Sequence, residues 1–120
     1  MARVLLVEDD RSIRLLISRV LDKAGHHVVE AGDGQIALAL LHVLPQIDII
    51  LSDIRMPFMD GLELLEIVKS EYPKLPVLML TAYLDNAIDA LEQGAVQYIQ
   101  KPFNPHMLVQ LVHDTLGLQN

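Results

Sequence analysis

The sequence predicts a doubly wound α/β domain, in which a five-stranded parallel sheet is covered by five helices. Short apolar runs alternate with helical patterns five times along the chain, the order expected of a parallel sheet with helices on both faces. The strand-like runs are continuously apolar, as in strands buried on both sides. At 120 residues, 52% of them hydrophobic, the chain is one domain long and can bury a core.

The first half of the chain contains two predicted strands, each followed by a helix. The first strand covers residues 4–7, and Asp10 or Ser12 is the candidate cap of a helix over 13–24 that ends at Gly25. The apolar face expected of this helix is Ile13, Leu16, Ile17, Val20, Leu21 and Ala24. A second strand over 26–31 precedes a helical pattern that Asp33 can cap and Pro45 stops.

The second half repeats the alternation three times. A strand begins with the run Ile49-Ile50-Leu51, and a helical pattern over 62–68 follows the Asp60-Gly61 turn. A fourth strand over 77–80 precedes a weaker helix over 84–93, and a fifth strand covers 96–100. Asn104 and Pro105 are a cap and a first-turn proline for a last helix that ends near Leu116.

Asp53 lies where the third strand stops. Pro57 lacks an amide donor and restricts Met56, so the strand cannot simply continue. Open α/β sheets bind their ligands just beyond the carboxyl ends of their strands. The position therefore marks Asp53 as a candidate phosphate acceptor, because a carboxylate can attack phosphorus to give an acyl phosphate.

Polar residues follow four of the five strands and should meet at one edge of the sheet. They are Glu8 and Asp9 after the first strand, Asp53, Thr81 and Lys101. Crowded carboxylates repel unless a cation intervenes, and oxygen ligands without Cys or a suitable His favour Mg²⁺, with Mn²⁺ as an alternative, over zinc. Phosphoryl transfer needs charge neutralisation and positioning, which these residues and the metal can supply.

The composition excludes several classes of function. The net charge is −7, from 16 acidic and 9 basic residues, so the domain should bind neither nucleic acid nor an anionic membrane directly. There is no Cys, hence no disulfide or thiolate site. The chain starts almost directly with a strand and has no apolar run near the ~20 residues of a membrane span, so a cytoplasmic location is expected.

The histidines show no pattern that points to the acidic site. No pair has a convincing metal spacing, and an isolated His seldom marks a site. We therefore expect all five to be surface or interface residues: His26, His27, His42, His106 and His113.

Four segments together resemble the receiver domain of bacterial two-component response regulators. They are VLLVEDD, LSDIRMPFMDGLELL, VLMLTA and GAVQYIQKPF, and the resemblance runs from about Arg3 to Leu116. It implies a flavodoxin-like sheet with strand order 2-1-3-4-5. It also implies a phosphorylation-activated signalling switch that is not an enzyme, apart from catalysing its own aspartyl phosphorylation and dephosphorylation.

The resemblance assigns roles to the acidic edge. Asp53 would take the phosphoryl group from a histidine of a sensor kinase or a phosphotransfer protein. Asp9, Asp53 and the backbone carbonyl of Arg55 would bind Mg²⁺. Glu8 stands where many relatives have Asp, and its longer side chain would act through a water. Lys101 would pair with a phosphoryl oxygen.

The resemblance also implies a switch. The Thr81 hydroxyl would move to the phosphoryl group, the backbone of Ala82 would contact it, and Tyr98 would turn inward. These movements would alter an output face made by the fourth helix, the fifth strand and the fifth helix. The bond from Lys101 to Pro102 matches one that is cis in the family.

The partners implied are the kinase and a downstream effector or fused output domain. Gln97 and a last helix without Lys or Arg depart from the charged pattern of winged-helix regulators, so we expect no salt-bridged dimer of that kind. Residues 1–120 are interpreted as one receiver domain, with 117–120 a tail or the start of a linker. Arg55 and Tyr83 would flank the phosphoryl group and shield it from water, which predicts a fairly long-lived acyl phosphate.

Two other functions fit the architecture less well. A magnesium-dependent phosphatase with an aspartyl nucleophile wants a second Asp two residues later, where this chain has Arg55. A flavin-binding carrier wants a phosphate loop rich in Ser, Thr and Gly after the first strand, where Glu8, Asp9 and Asp10 would repel phosphate.

Overall fold

The structure, a computed structural model, describes residues 1–44 and 46–118. Five parallel strands form one sheet: β1 (Arg3–Val7), β2 (His27–Ala31), β3 (Ile49–Asp53), β4 (Val77–Thr81) and β5 (Gln97–Gln100). Their order is β2-β1-β3-β4-β5. The fold class and the strand order 2-1-3-4-5 are therefore confirmed.

A helix follows each strand: α1 (Arg11–Lys23), α2 (Gly34–Val43), α3 (Gly61–Glu71), α4 (Leu84–Glu92) and α5 (Pro105–Leu116). Asp10, and not Ser12, caps α1, because its carboxylate accepts the backbone N–H groups of Ser12 and Ile13. Asn104 caps α5 with proline in its first turn, as predicted. The predicted stop at Pro45 lies outside the described residues.

The sheet separates two apolar cores, because successive strand residues point to opposite faces. On β1, Leu5 packs into the core beneath α2 and α3, whereas Leu6 packs into the core beneath α1 and α5. Both β3 and β4 are buried along their whole length. This double burial explains why their sequences are continuously apolar up to the last residues.

Two sequence predictions about burial were wrong. Leu16, assigned to the buried face of α1, is 49% exposed. His26 is only 5% exposed, and not a surface residue. Its Nδ1 accepts the backbone N–H of Ala2 at 3.1 Å, and its Nε2 lies 2.8 Å from Nε2 of His113. Burial, the nearby His113 and the chain's amino terminus lower the pKa of His26.

Across residues 1–44 and 46–118, none of the helices combines the length and the apolar character that crossing a bilayer would require.

Candidate functional site

The polar strand ends meet at one edge of the sheet, as the sequence predicted. Asp53 is the last residue of β3 and Thr81 the last of β4, and they are 8% and 2% exposed. Glu8 directly follows β1 and is fully buried. Lys101 directly follows β5, and its backbone N–H donates to the carbonyl of Thr81 at 2.9 Å.

Lys101 joins the two buried carboxylates. Its Nζ donates to Oε1 of Glu8 at 2.8 Å and to Oδ2 of Asp53 at 2.9 Å. Charge-assisted bonds of this length are the stronger kind in proteins. The peptide bond between Lys101 and Pro102 is cis, as the resemblance implied. The ammonium is thus held between the β1 and β3 ends by residues distant in sequence.

The electrostatics of the site follow from this burial. Burial, opposed by the hydrogen bond from Lys101 and reinforced by the neighbouring charge of Asp53, raises the pKa of Glu8 to about 7. Burial alone would lower the pKa of Lys101, but its bonds to Glu8 and Asp53 outweigh burial and leave that pKa raised. This edge of the sheet therefore has more carboxyl groups than the single Lys101 ammonium can neutralise.

An additional cation fits the acidic side of this edge. Carboxylate oxygens of Glu8, Asp9 and Asp53 lie within 4.8 Å of one another, the one such group of three or more metal-binding side chains among the described residues. Oδ1 of Asp53 also accepts the backbone N–H of Ile54 at 2.8 Å. A set made only of oxygen donors suits Mg²⁺ or Mn²⁺ and not zinc.

Gly61 fixes the backbone that carries Asp53. Its N–H donates to the carbonyl of Ile54 at 2.6 Å. A Cβ at this position would lie 2.7 Å from Cα of Ile54 and closer still to the carbonyl oxygen of Asp53. The start of α3 can therefore pack against the end of β3 only because residue 61 has no side chain.

Comparison with known proteins identifies the family. The family of response regulator receiver domains matches residues 4–113. The chain belongs to this family. As a receiver domain it is a signalling domain switched by phosphorylation, and receiver domains of response regulators are generally not enzymes.

Individual relatives agree with this assignment. The chain is 43% identical over 113 residues to the response regulator protein FleR of Pseudomonas aeruginosa, covering 92% of this chain and 24% of FleR. It is 45% identical over 116 residues to the DNA-binding transcriptional regulator NtrC of Salmonella typhimurium, covering 95% and 24%. The chain thus spans about a quarter of the length of these relatives.

Solved structures share the receiver fold. A response regulator receiver domain from Clostridium thermocellum has a TM-score of 0.93 at 28% identity, covering 98% of this chain and 95% of that one. The chemotaxis response regulator CheY4 of Vibrio cholerae has a TM-score of 0.88 at 38% identity, covering 97% and 99%.

The hydroxyl of Thr81 faces the loop that follows it in this receiver domain. Its Oγ1 accepts the backbone N–H of Tyr83 at 3.0 Å and lies 3.4 Å from the carbonyl of the same residue. Ala82 is exposed and lines a cavity of about 400 Å³ together with Lys101. Tyr98 is half-buried and packs against the core beneath α2 and α3. Their switch roles remain predictions.

Arg55 makes contacts that the sequence analysis did not anticipate. Its Nε donates to Oδ1 of Asn86 on α4 at 3.0 Å, and its guanidinium carbon lies 3.5 Å from the centroid of the Tyr83 ring. The side chain thus links the loop after β3 to the start of α4. The predicted role of its backbone carbonyl as a metal ligand is a separate matter and stays a prediction.

Sequence reasoning also missed Arg14, whose side chain reaches the Glu8 carbonyl from α1. A weak signal was available: position 14 is four residues after the Asp10 cap, so it lies on the side of the first turn nearest the β1 end.

Proposed function

We propose that Asp53 of this receiver domain accepts a phosphoryl group from a histidine of a sensor kinase or phosphotransfer protein. One observation carries the proposal: the Lys101 ammonium bridges Asp53 and Glu8 at a buried strand end, with Asp9 beside them. A nucleophilic carboxylate with positive charge at the point where phosphoryl oxygens would lie is the arrangement that phosphoryl transfer requires.

The transfer step needs little from the protein beyond position and charge. A carboxylate oxygen of Asp53 forms a bond to phosphorus while the bond from phosphorus to the donor nitrogen breaks, and that nitrogen keeps the electron pair. Lys101 would then pair with a phosphoryl oxygen in place of its present bond to Asp53. The same residues would serve hydrolysis of the acyl phosphate, in which a water oxygen bonds to phosphorus and the Asp53 carboxylate leaves with the electron pair. The domain would thus catalyse its own phosphorylation and dephosphorylation.

Mg²⁺, or Mn²⁺ in its place, would be held by Asp9, Asp53 and the backbone carbonyl of Arg55, with Glu8 acting through a water. When bound, the ion would supply the remaining positive charge that the phosphoryl oxygens require. Glu8 supports this assignment, because its carboxylate is already engaged by Lys101 and by the backbone N–H of Asp10 at 3.2 Å.

Phosphorylation would reach the output face through Thr81. Its hydroxyl would leave the Tyr83 backbone and bond to the phosphoryl group, while the N–H of Ala82 would contact another phosphoryl oxygen. Tyr98 would turn inward as the loop moves. The face of α4, β5 and α5 would change as a result, a local electrostatic event that biases an element with two states.

The remaining assignments concern the whole protein. The domain would be cytoplasmic, and the partners proposed are a sensor histidine kinase or phosphotransfer protein and a downstream effector or fused output domain. The charge of −7 argues against direct nucleic-acid or membrane binding by this domain. Residues 1–120 would form a single receiver domain, with 117–120 a tail or the start of a linker. Of that segment, Gly117 adopts the left-handed conformation that ends α5, and residues 119 and 120 lie outside the described residues.

The test is incubation with Mg²⁺ and a small acyl phosphate, followed by intact-mass measurement. Wild type should gain the mass of one phosphoryl group, and the gain should disappear with EDTA or in Asp53→Asn. The Asp53→Asn variant keeps the shape of the side chain, so it is a matched control. Equal mass gain in Asp53→Asn would reject Asp53 as the acceptor.

A further inference from the structure

Arg14 contacts the backbone of the candidate metal site from outside it. This residue lies in the first turns of α1, and its Nη1 donates to the carbonyl oxygen of Glu8 at 2.7 Å. Its Nε donates to Oε1 of Glu30 on β2 at 3.2 Å. The guanidinium is thus held from two directions at once, with its side chain only 21% exposed.

The contacted carbonyl belongs to the peptide that connects two of the candidate ligands. A peptide unit is planar, so the bond that fixes the Glu8 carbonyl also fixes the N–H of Asp9 and the direction in which the Asp9 Cα lies. The pairing of β1 with β2 reaches the Glu8 N–H, which donates to the carbonyl of Ala31 at 3.0 Å. The next backbone group, the Glu8 carbonyl, is bonded by Arg14 and not by a neighbouring strand.

We propose that Arg14 is a positioning residue for the metal site: it orients the Glu8–Asp9 peptide so that the Asp9 carboxylate meets that of Asp53. The inference rests on the proposed function, because it concerns the same site. It requires no contact between Arg14 and the metal, and it assigns the site a support that comes from α1 and β2.

The chemistry of arginine suits this role. A guanidinium presents several donors in a fixed plane and can serve a carbonyl and a carboxylate together, whereas a lysine ammonium on a flexible chain acts as a point charge. Glu30 in turn lies 3.4 Å from Oγ of Ser18 on α1. The position of the guanidinium is therefore determined by both neighbouring elements and not by solvent.

A simpler role would be that Arg14 only ties α1 to β2 through Glu30. Two substitutions separate the roles. Glu30→Gln removes the charge of the ion pair but leaves the bond to the Glu8 carbonyl possible, whereas Arg14→Met removes both and keeps an unbranched apolar side chain. Arg19→Met, at an exposed arginine of the same helix, is the matched control.

The measurement is the Mg²⁺ dissociation constant of the intact 120-residue chain by calorimetry, together with amide hydrogen exchange of the metal-free protein at residues 8–10. Groups that orient metal ligands typically change affinity by about 10–100-fold when removed. We expect Arg14→Met to weaken Mg²⁺ binding by about ten-fold. It should also speed exchange at Glu8 and Asp10, whose N–H groups are bonded to the Ala31 carbonyl and the Glu8 carboxylate. Glu30→Gln should have a smaller effect and Arg19→Met none, and Arg14→Lys should recover part of the affinity.

The outcomes distinguish the two roles. If Arg14→Met lowers the melting temperature but leaves the Mg²⁺ affinity at the wild-type value, Arg14 only joins α1 to β2 through Glu30, and the positioning role is wrong. If Arg14→Met does not fold, Arg14→Gln takes its place, since wild-type Mg²⁺ affinity in a variant without the guanidinium would also overturn the positioning role. A wild type that binds Mg²⁺ but gains no phosphoryl mass rejects the proposed function instead, and the comparison of affinities still stands.

Discussion

The Arg55→Ala, Tyr83→Ala double variant is expected to lose its phosphoryl group faster than wild type. The Arg55 guanidinium packs 3.5 Å from the Tyr83 ring centroid and is bonded to Asn86 at 3.0 Å. Together the two side chains join the loop that follows Asp53 to the start of α4. We expect this bridge to restrict the access of water to the acyl phosphate.

The size of the effect can be bounded from the two contacts. A cation–π contact at an exposed site contributes about 0.5–1 kcal/mol, and a partly exposed hydrogen bond about 0.5–1.5 kcal/mol. The arrangement in which Arg55 bridges to Tyr83 and Asn86 is then favoured by about 1–2.5 kcal/mol, which corresponds to roughly 5–70-fold in the rate of dephosphorylation. Because Tyr83 is 49% exposed, we expect the low end, about five-fold.

The assay follows intact mass after wild type and variants are phosphorylated and transferred to donor-free buffer containing Mg²⁺. Single variants at positions 55 and 83 complete a double-mutant cycle, which isolates the energy shared by the pair. Asn86→Ala tests the hydrogen bond separately. Decay of the double variant at the wild-type rate would show that the bridge does not shield the acyl phosphate.

Three further predictions concern stability. Gly61→Ala should cost at least about 1–3 kcal/mol, because its methyl group would meet the backbone at the end of β3; Gly32→Ala, with its nearest neighbour at an ordinary 3.6 Å, is the control, and similar urea midpoints for both would contradict the reasoning. Burial and, to a smaller extent, His113 lower the pKa of His26, so below the ordinary value of 6.5 the folded protein binds fewer protons than the unfolded chain. The free energy of unfolding should therefore decrease as the pH falls through that range. The His26→Asn variant should lose less of it, and an equal loss would argue against this cause. Without metal, Lys101→Met should lower the free energy of unfolding by about 3 kcal/mol at pH 8, because it leaves two buried carboxylates without their cation. The loss should be smaller at pH 6, where the buried Glu8 carboxyl can take up a proton. Thermal melts that show the same loss at both pH values would disprove this.

The site could be predicted from sequence because its residues sit at a topologically simple place. Parallel strands bring their carboxyl ends to one edge, so Asp53, Thr81 and Lys101 could be placed together without coordinates once the strands were recognised. The cis bond before Pro102 and the order of the strands depended on the family resemblance, since neither has a signal in composition or periodicity.

Contacts between helices and strands that are brought together only by tertiary packing could not be predicted from the sequence. The partner of His26 is 87 residues away on α5, and nothing in the pattern around either histidine pairs them. Leu16 was assigned to a buried face by helical spacing alone, but the stripe that α1 actually buries is narrower and centred on Ile17 and Leu21. Arg55 was expected near the phosphoryl group, yet its stacking on Tyr83 depends on how α4 begins.

The hydrogen bonds of the Thr81 hydroxyl bear on how the domain would communicate with an effector. In the form described here that hydroxyl is bonded to the backbone of Tyr83. An effector that bound the 82–83 loop in the position proposed for the phosphorylated form would release the hydroxyl before any phosphoryl group arrives. Thermodynamic coupling between two sites is reciprocal, so such an effector would raise the fraction of Asp53 that is phosphorylated at a given donor concentration. The phosphorylation level would then depend on the concentration of the effector as well as on the activity of the kinase.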